Sequence, residues 1–337
     1  MHDIPPIDRL ARPARRRRLL TGAAALLLAS AAPAFAQTYP DRPIRLVVPY
    51  PPGGATDVIG RVVGQQLGTV LGQSVVVENK AGAAGNIGAA MVAREKPDGY
   101  TLLLGALTSH SINSALVGPA AQFDMVKSFA PVSIVGRVPL VVVVHPGLKA
   151  NDIAELVALA KGRQQPLSYA SSGNGSPQHL AGEMFQRQAG IKLLHVPYKG
   201  SSPALTDLMG GQVDLMIDTV PAAQAFIKSG KLRALATATA EPVATLPGVP
   251  TAAQAGLKGF EVSSMFGILA PAGTPAAVVE RLNAALKDVM VQPAVREGLL
   301  AQGAVAAYTT PQEAAGAIGR EVAQWTQVIK DGAIKAE

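Results

Sequence analysis

The stretch Ile44-Arg45-Leu46-Val47-Val48-Pro49-Tyr50-Pro51-Pro52-Gly53-Gly54-Ala55-Thr56-Asp57 decides the fold. Its aliphatic, β-branched run from Ile44 to Pro49 is too short for a good helix and reads as a strand. Prolines and glycines break it, and from Thr56 to Leu71 apolar residues return at helical spacing. Strand, glycine turn and helix in that order are the building unit of a parallel α/β sheet. The glycines let the backbone turn sharply, and free N–H groups at the helix start then point at whatever lies above them. Such a place holds an anion. It reads equally as an ordinary strand-to-helix turn with Thr56 or Asp57 as a cap.

The same alternation continues outward from this unit. Strands are predicted at Ser74 to Glu78, Thr101 to Gly105, Val132 to Val135, Leu140 to Val144, Leu167 to Ala170, Lys192 to Val196, Val213 to Ile217, Leu232 to Thr237 and Val262 to Ala270. Helical spacing marks Asn86 to Arg94, Asn151 to Ala160, Pro177 to Gln188, Pro203 to Met209 and Pro221 to Ser229, with Asn151 or Asp152, Ser176 and Ser202 in capping positions. Two longer helices, Pro275 to Met290 and Pro311 to Ile329, close the chain. No repeat and no low-complexity linker divides it into two beads. The long extended runs Pro139 to His145 and Glu261 to Ala270 flank a compact βα-rich block, which makes them crossover strands. One lobe then comprises 37–139 plus 265–337, the other is inserted as 140–264, and the cleft between them opens and closes on two hinges.

A second glycine loop, Ser171-Ser172-Gly173-Asn174-Gly175-Ser176-Pro177, follows a strand and leads into a helix with proline in its first turn, where the missing N–H has no partner to lose. Two such loops, one per lobe, can grip a carboxylate through backbone donors and the hydroxyls of Ser172 and Ser176. A third, Asn79 to Asn86, reads more readily as a turn with Asn86 as an N-cap. Thr108, Ser109, His110 and Ser111 follow a strand at the edge where open α/β sheets bind ligands. Tyr198, Lys199, Asp218 and Thr219 also follow strands and can line the cleft, although Lys199 reads equally as a solvated charge and Asp218 as a helix cap.

Catalysis has one arrangement to its name, Ser176 with His179 three residues on. Ser176 more naturally caps its helix, and no G-x-S-x-G elbow is present. The histidines at 2, 110, 145, 179 and 195 show no tight ligand spacing, so no metal site is expected. No phosphate-binding loop or dinucleotide fingerprint occurs, and no cofactor is expected.

Composition narrows the setting. Arg15 to Arg18, the apolar stretch Leu19 to Ala32 and the small residues Ala34-Phe35-Ala36 read as a signal peptide over residues 1–36, cleaved after Ala36. Four consecutive arginines serve either the general or the twin-arginine export route. The apolar run is Ala-rich and shorter than the ~20 residues of a spanning helix. Without the leader the formal charge falls from +7 to +3, with 24 basic against 21 acidic residues. Aromatics make up only 4% of the chain and do not interleave with basic clusters, which argues against nucleic acid as a partner. The absence of cysteine excludes a thiol nucleophile, disulfides and a lipoprotein anchor. A soluble, exported protein with two lobes is expected.

Several motifs resemble the tripartite tricarboxylate transporter receptor family, the Bug solute-binding proteins, across the whole mature chain. They are Tyr50 to Asp57 with Gly60-Arg61, Val77 to Gly88, Pro97 to Leu102, Gly173 to Leu180, His195-Val196-Pro197-Tyr198-Lys199-Gly200 and Pro247 to Thr251. The resemblance implies a periplasmic type II binding-protein fold, α/β, that closes as a Venus flytrap on a small organic acid without making or breaking a bond. It implies contacts from Gly53, Gly54, Thr56 and Asp57 in the first loop and Ser172, Gly173, Gly175 and Ser176 in the second, partly through ordered waters. Thr108, His110, Tyr198 and Asp218 are implied at the distal end. Tyr50 stands where phenylalanine is commoner, Gln178 brings a polar side chain into the Ser-Pro-x-His context, and Thr108 to Ser111 is unusually polar. All three fall where selectivity arises, and Tyr50 joins the expected ligand residues. The family further implies a large and a small integral membrane component as partners; the receptor itself is expected to be a monomer. Orphan receptor or sensor input is a variant of the same reading. The competing classes are a periplasmic hydrolase of carboxylate esters and a purely structural exported protein. For a second charged group on the ligand, Lys199, Arg61 and a protonated His110 are the nearby cations.

Overall fold

The computed structural model describes His2 and residues 39–335. The leader read at 1–36 and its cleavage point fall, His2 apart, outside the described residues. In chain order the elements are β1 (Ile44–Val48), α1 (Ala55–Leu71), β2 (Val75–Asn79), α2 (Asn86–Ala93), β3 (Thr101–Ala106), α3 (Leu107–Val117), β4 (Phe129–Val144), α4 (Ile153–Gly162), β5 (Leu167–Ser171), α5 (Pro177–Ala189) and β6 (Leu193–Pro197). There follow α6 (Ser201–Met209), β7 (Leu215–Thr219), α7 (Val220–Lys228), β8 (Arg233–Thr237), β9 (Ser263–Pro271), α8 (Ala276–Met290), α9 (Pro293–Ala301), β10 (Val305–Ala306) and α10 (Pro311–Asp331). Residues from Pro40 onward form one compact unit.

The strands run in the order β2-β1-β3-β9-β4-β7-β5-β6, with β8 and β10 paired to β4 off that path. Two parallel groups result. In the first half β1 lies parallel between β2 and β3. In the second half β5 lies parallel between β6 and β7. Antiparallel β9 and β4 join them. Strand β4 pairs with β9 as far as Pro139 and with β7 and β8 from Leu140 onward. The change of partner falls beside a proline, a residue with no N–H to place in a continuing ladder. The chain returns to the first half between Ala238, whose carbonyl accepts from Val262 N at 2.9 Å, and β9.

Two strands were expected where β4 is one. Gly136 to Pro139 looks like a break, but Gly136 and Arg137 are paired on both sides, to Phe266 and Met265 of β9 and to Ala306 and Val305 of β10. Helix α3 was not anticipated either. Its first turns are Thr, Ser, His, Ser and Asn, weak helix formers, and the burial of Leu107, Thr108, His110, Ser111 and Ile112 holds it in place instead. Of the expected caps, Asp152 accepts from Glu155 N at 2.7 Å and Ser176 from His179 N at 3.2 Å. Ser202 does not cap, because α6 already begins at Ser201 with Gly200 before it at φ 112°. Asn86 opens α2 from inside, after Gly85.

Three clusters of buried side chains fill the fold. One, in the first half, gathers Val47, Leu103, Leu107, Phe123, Phe129 and Ile318. The second half has a cluster on each sheet face: Val141 and Val143 look to one, Leu140, Val142 and Val144 to the other. That last cluster also takes Ile112 of α3 and Trp325 and Val328 of α10. Close approach of helix to sheet depends on small residues. A methyl group at Gly60 would sit 2.8 Å from Val48 Cγ2, so α1 lies low over β1 and its start is brought to the end of that strand. At Gly182 of α5 a methyl group would be 2.2 Å from Cε2 of Tyr169, a fully buried ring tied by its hydroxyl to Glu183 Oε1 at 2.6 Å. For Gly182→Ala we expect overpacking to lower stability by about 1–3 kcal/mol. Urea denaturation should show a lower midpoint at unchanged slope; an unchanged midpoint would mean that α5 is free to lift off β5.

Candidate functional site

The first glycine loop joins β1 to α1. Gly53 takes φ 86°, and Gly54 precedes the helix with no side-chain cap bond. The opening N–H groups of α1 are thus not covered by a side chain. Asp57 organises this loop. Its Oδ2 accepts from Gly53 N at 2.9 Å and from Arg61 Nε at 3.0 Å, while Oδ1 accepts from Asn79 Nδ2 at 2.8 Å. Asn79 also donates to Tyr50 O at 3.0 Å and accepts from Arg61 Nη2 at 3.1 Å. The Arg61 guanidinium, with help from Gly53 N–H and Asn79, holds the Asp57 carboxyl at about 2 despite its burial. Asp57, Asn79 and Arg61 therefore form one clamp, and the Arg61 charge is already answered.

Behind the loop, Tyr50 stacks on His110 at 6.1 Å and donates to Ala84 O at 3.3 Å; burial pushes its phenol up to about 12. His110 is fully buried, with Phe123 edge-on at 5.9 Å, and burial pushes it down to about 4. It is neutral at pH 7, which corrects the expectation of a protonated His110 facing an anionic ligand group. Thr108, 1% exposed, donates to Ser263 O and accepts from Met265 N, both at 3.1 Å, and so fastens α3 to β9.

The second loop follows β5. Gly173 and Gly175 adopt φ 132° and 70°, which a side chain would strain. A methyl group at Gly175 would be 2.9 Å from Leu116 Cδ2, so this loop abuts α3. Gly175 N donates to His179 Nδ1 at 3.1 Å, and the His179 ring lies flat against His195 at 3.9 Å. Burial pushes His179 down to about 4. The bond from Ser176 runs to the His179 backbone, not to its ring. Ser171 does meet the His195 ring at 2.7 Å, but Ser171 is fully buried.

Ser172 leads to a deeper network. Its Oγ donates to Gln178 Oε1 at 2.8 Å, and Gln178 Nε2 donates to Asp218 Oδ1 at 3.0 Å. The same oxygen accepts from Ser201 Oγ at 3.0 Å and Thr219 N at 2.7 Å. Asp218 is fully buried, and burial raises its carboxyl above the usual range. Tyr198 points elsewhere: it packs against the cluster of Val141 and Val143 and donates to Asp207 Oδ2 at 2.8 Å.

A cavity of about 420 Å³ brings part of this together. Ala55 from the start of α1 and Thr219 from the end of β7 line it, with Val138, Ser264 and Phe266 of the joining strands and Gln302 after α9. Of these wall residues only Thr219 was foreseen. Phe266 and Ser264 lie in a run read as a crossover strand, but nothing in their types marks them as lining a cavity, and Gln302 carries no signal at all.

Parallel groups in each half, glycine turns at the C-terminal ends of their strands and two chain passages between them define a solute-binding protein of the two-lobed type II class. The chain belongs to the tripartite tricarboxylate transporter receptor family, whose family model matches residues 59–334. Protein BugT of Bordetella pertussis is 40% identical over 305 residues, covering 90% of this chain and 94% of BugT. Among solved structures, an R. palustris protein with adipate is 36% identical with a TM-score of 0.71, covering 88% of this chain and 99% of its own. MatC from Rhodopseudomonas palustris, with bound malate, is 33% identical with a TM-score of 0.69, covering 86% of this chain and 100% of its own.

The Asp57 clamp has a pH signature. Its carboxyl sits at about 2 in the fold and near ~3.9 in an unfolded chain. Protons between those values favour the unfolded state, so the clamp's contribution is complete above pH ~4 and is lost as pH falls through about 2. The stability gap between wild type and Asp57→Asn, measured by urea titration at successive pH values, should hold steady from neutral pH to about 4 and close below it. A gap that persists unchanged into acid would show that Arg61 does not hold a charged Asp57.

Proposed function

We propose that the protein is a periplasmic receptor that captures a small organic carboxylate between two lobes and leaves it chemically unchanged. The observation that carries this reading is the start of α1, where an uncapped helix terminus at Ala55 looks into the cavity while its own acidic residue, Asp57, is held away by Arg61, Gly53 and Asn79. Unpaired N–H groups and the positive end of a helix favour a carboxylate there. In this reading Gly53, Gly54 and Thr56 present backbone and hydroxyl donors from one side. Ser172, Gly173, Gly175 and Ser176 close from the other, and Tyr50, Thr108 and His110 support the loops from behind. The relatives bound to adipate and malate favour the same ligand class.

The lobes in this proposal are 37–139 plus 265–337 and 140–264, moving about the two passages at Pro139–Leu140 and Val262–Ser263. Residues 1–36 serve as a cleaved export signal. The closed monomer would be read by a large and a small membrane component, or by a sensor in an orphan arrangement. A hydrolase based on Ser176 finds little support, because His179 Nδ1 is occupied by Gly175 N–H and Ser176 Oγ caps the helix.

Two measurements test the reading. Ligand at 100 times its dissociation constant stabilises the folded state by about 2.7 kcal/mol, which at roughly 2–4 °C per kcal/mol is a shift of several degrees. Protein unfolded and refolded to strip resident ligand should be stabilised by at least one of succinate, malate, glutarate or adipate and by none of the corresponding neutral amides; a flat response to every acid would remove the carboxylate reading. Ser176→Ala should lower stability by about 1 kcal/mol through loss of the N-cap and weaken acid binding only modestly. Saturable ester hydrolysis by the wild type that disappears with this substitution would favour an enzyme instead.

A further inference from the structure

Among the described residues, four buried side-chain polar atoms have no hydrogen-bond partner: the two ring nitrogens of His110, Ser111 Oγ and Asp218 Oδ2. The first three lie within the packing of α3, where His110 is enclosed by Tyr50 and Phe123. Asp218 differs in kind and in place. Its two oxygens are treated unequally: Oδ1 takes all of the Gln178, Ser201 and Thr219 donors, and Oδ2 takes none. Neither oxygen meets a Lys or Arg among the described residues. The next residue, Thr219, lines the cavity opposite Ala55, and Ser172, Ser201 and Thr219 around the carboxylate are all partly exposed.

We propose that Asp218 Oδ2 receives a hydrogen-bond donor from the bound solute, so that the protein selects carboxylates carrying a hydroxyl or amino donor on the arm that reaches the second half. This deepens the carboxylate reading above and rests on it. One end of the solute lies on the N–H groups of α1, and the other brings its donor to Asp218. A buried carboxylate oxygen stripped of water and left unpaired is unfavourable, and a donor from the ligand relieves it. A methylene in that position leaves it bare, and a second carboxylate sets like charges against each other. A site built around a hydrogen bond therefore rejects the analogue that lacks the group far more strongly than an apolar pocket rejects a size change. Gln178 acts as the positioning residue. It joins Ser172 to Asp218 and aims Oδ2 by holding Oδ1, a role that a nonpolar side chain at this position could not fill.

Calorimetric titration of the purified protein decides the matter with two matched series, succinate against malate and aspartate, and glutarate against 2-hydroxyglutarate and glutamate. In at least one series the better donor-bearing acid is expected to bind about tenfold or more tightly than its parent, the yield of one hydrogen bond to a charged group. Asp218→Asn keeps an acceptor for the three internal donors and replaces Oδ2 with an NH2 group, so the ratio should fall to about one or invert. Gln178→Leu should shrink the ratio as well, which keeps the question open to an answer if Asp218→Asn does not fold. Parents binding as tightly as their hydroxy and amino derivatives would overturn the proposal, and so would a ratio that survives Asp218→Asn. Binding of no acid in either series would remove the carboxylate reading itself, an outcome distinct from binding without discrimination.

Discussion

Strand β4 belongs to both halves of the molecule at once, and the rest of the architecture is arranged around that fact. Every side chain from Leu140 to Val144 is completely buried, with successive residues delivered to opposite faces of the sheet in the two-residue period of an extended chain. Upstream, Phe129 and Ile134 of the same strand belong to the first-half core. Neither half can shed the strand without losing part of its interior. Relative motion is then confined to torsions where β4 changes partners and where the chain re-enters at β9. Helix α10 limits it further, since Ile318 packs with the first half and Trp325 and Val328 with the second.

Within the frame, polar groups fall into those that are already answered and those that are not. Asp57 is surrounded by donors and shapes the loop that holds it. Thr108 fastens a helix to a strand, and the Tyr198 hydroxyl is committed to Asp207. What remains available is mostly backbone: the start of α1 and the glycine turn before α5. Backbone donors cannot titrate and move little, so a site made of them recognises charge and shape with small reorganisation on binding. Side chains then set the finer choice among solutes, and the Gln178 and Asp218 pair sits where such a choice can be made.

Much of this was readable before any coordinates. Short β-branched runs alternating with amphipathic stretches reproduce nearly all of the strands and most of the helices, because each element announces itself through its own period. The glycine loops were visible for a similar local reason: left-handed backbone at Gly53, Gly173 and Gly175 demands a residue without a side chain. Legibility failed where the cause lay far away in the chain. Helix α3 owes its form to burial against β9 and α10, not to its serines and threonines. The continuity of β4 across Gly136 to Pro139 depends on partners more than a hundred residues later. The neutrality of His110 follows from its aromatic surroundings, and the bond from Gln178 to Asp218 joins positions 40 residues apart.

The order in which the strands become available carries one more consequence. Strand β3 is covered on one edge by β9, and Leu103 and Leu104 pair there with Leu269 and Ile268. Those partners leave the ribosome only after the whole second half, which already has β4 to β8 to pair among themselves. The inserted half is thus placed to consolidate first, while the earlier strands wait with an apolar edge uncovered. Closing so long a loop is slow, and an open strand edge invites wrong pairing in the interval. The chain's greatest need for a chaperone, or for delayed release in the unfolded state, falls between synthesis of β3 and arrival of β9.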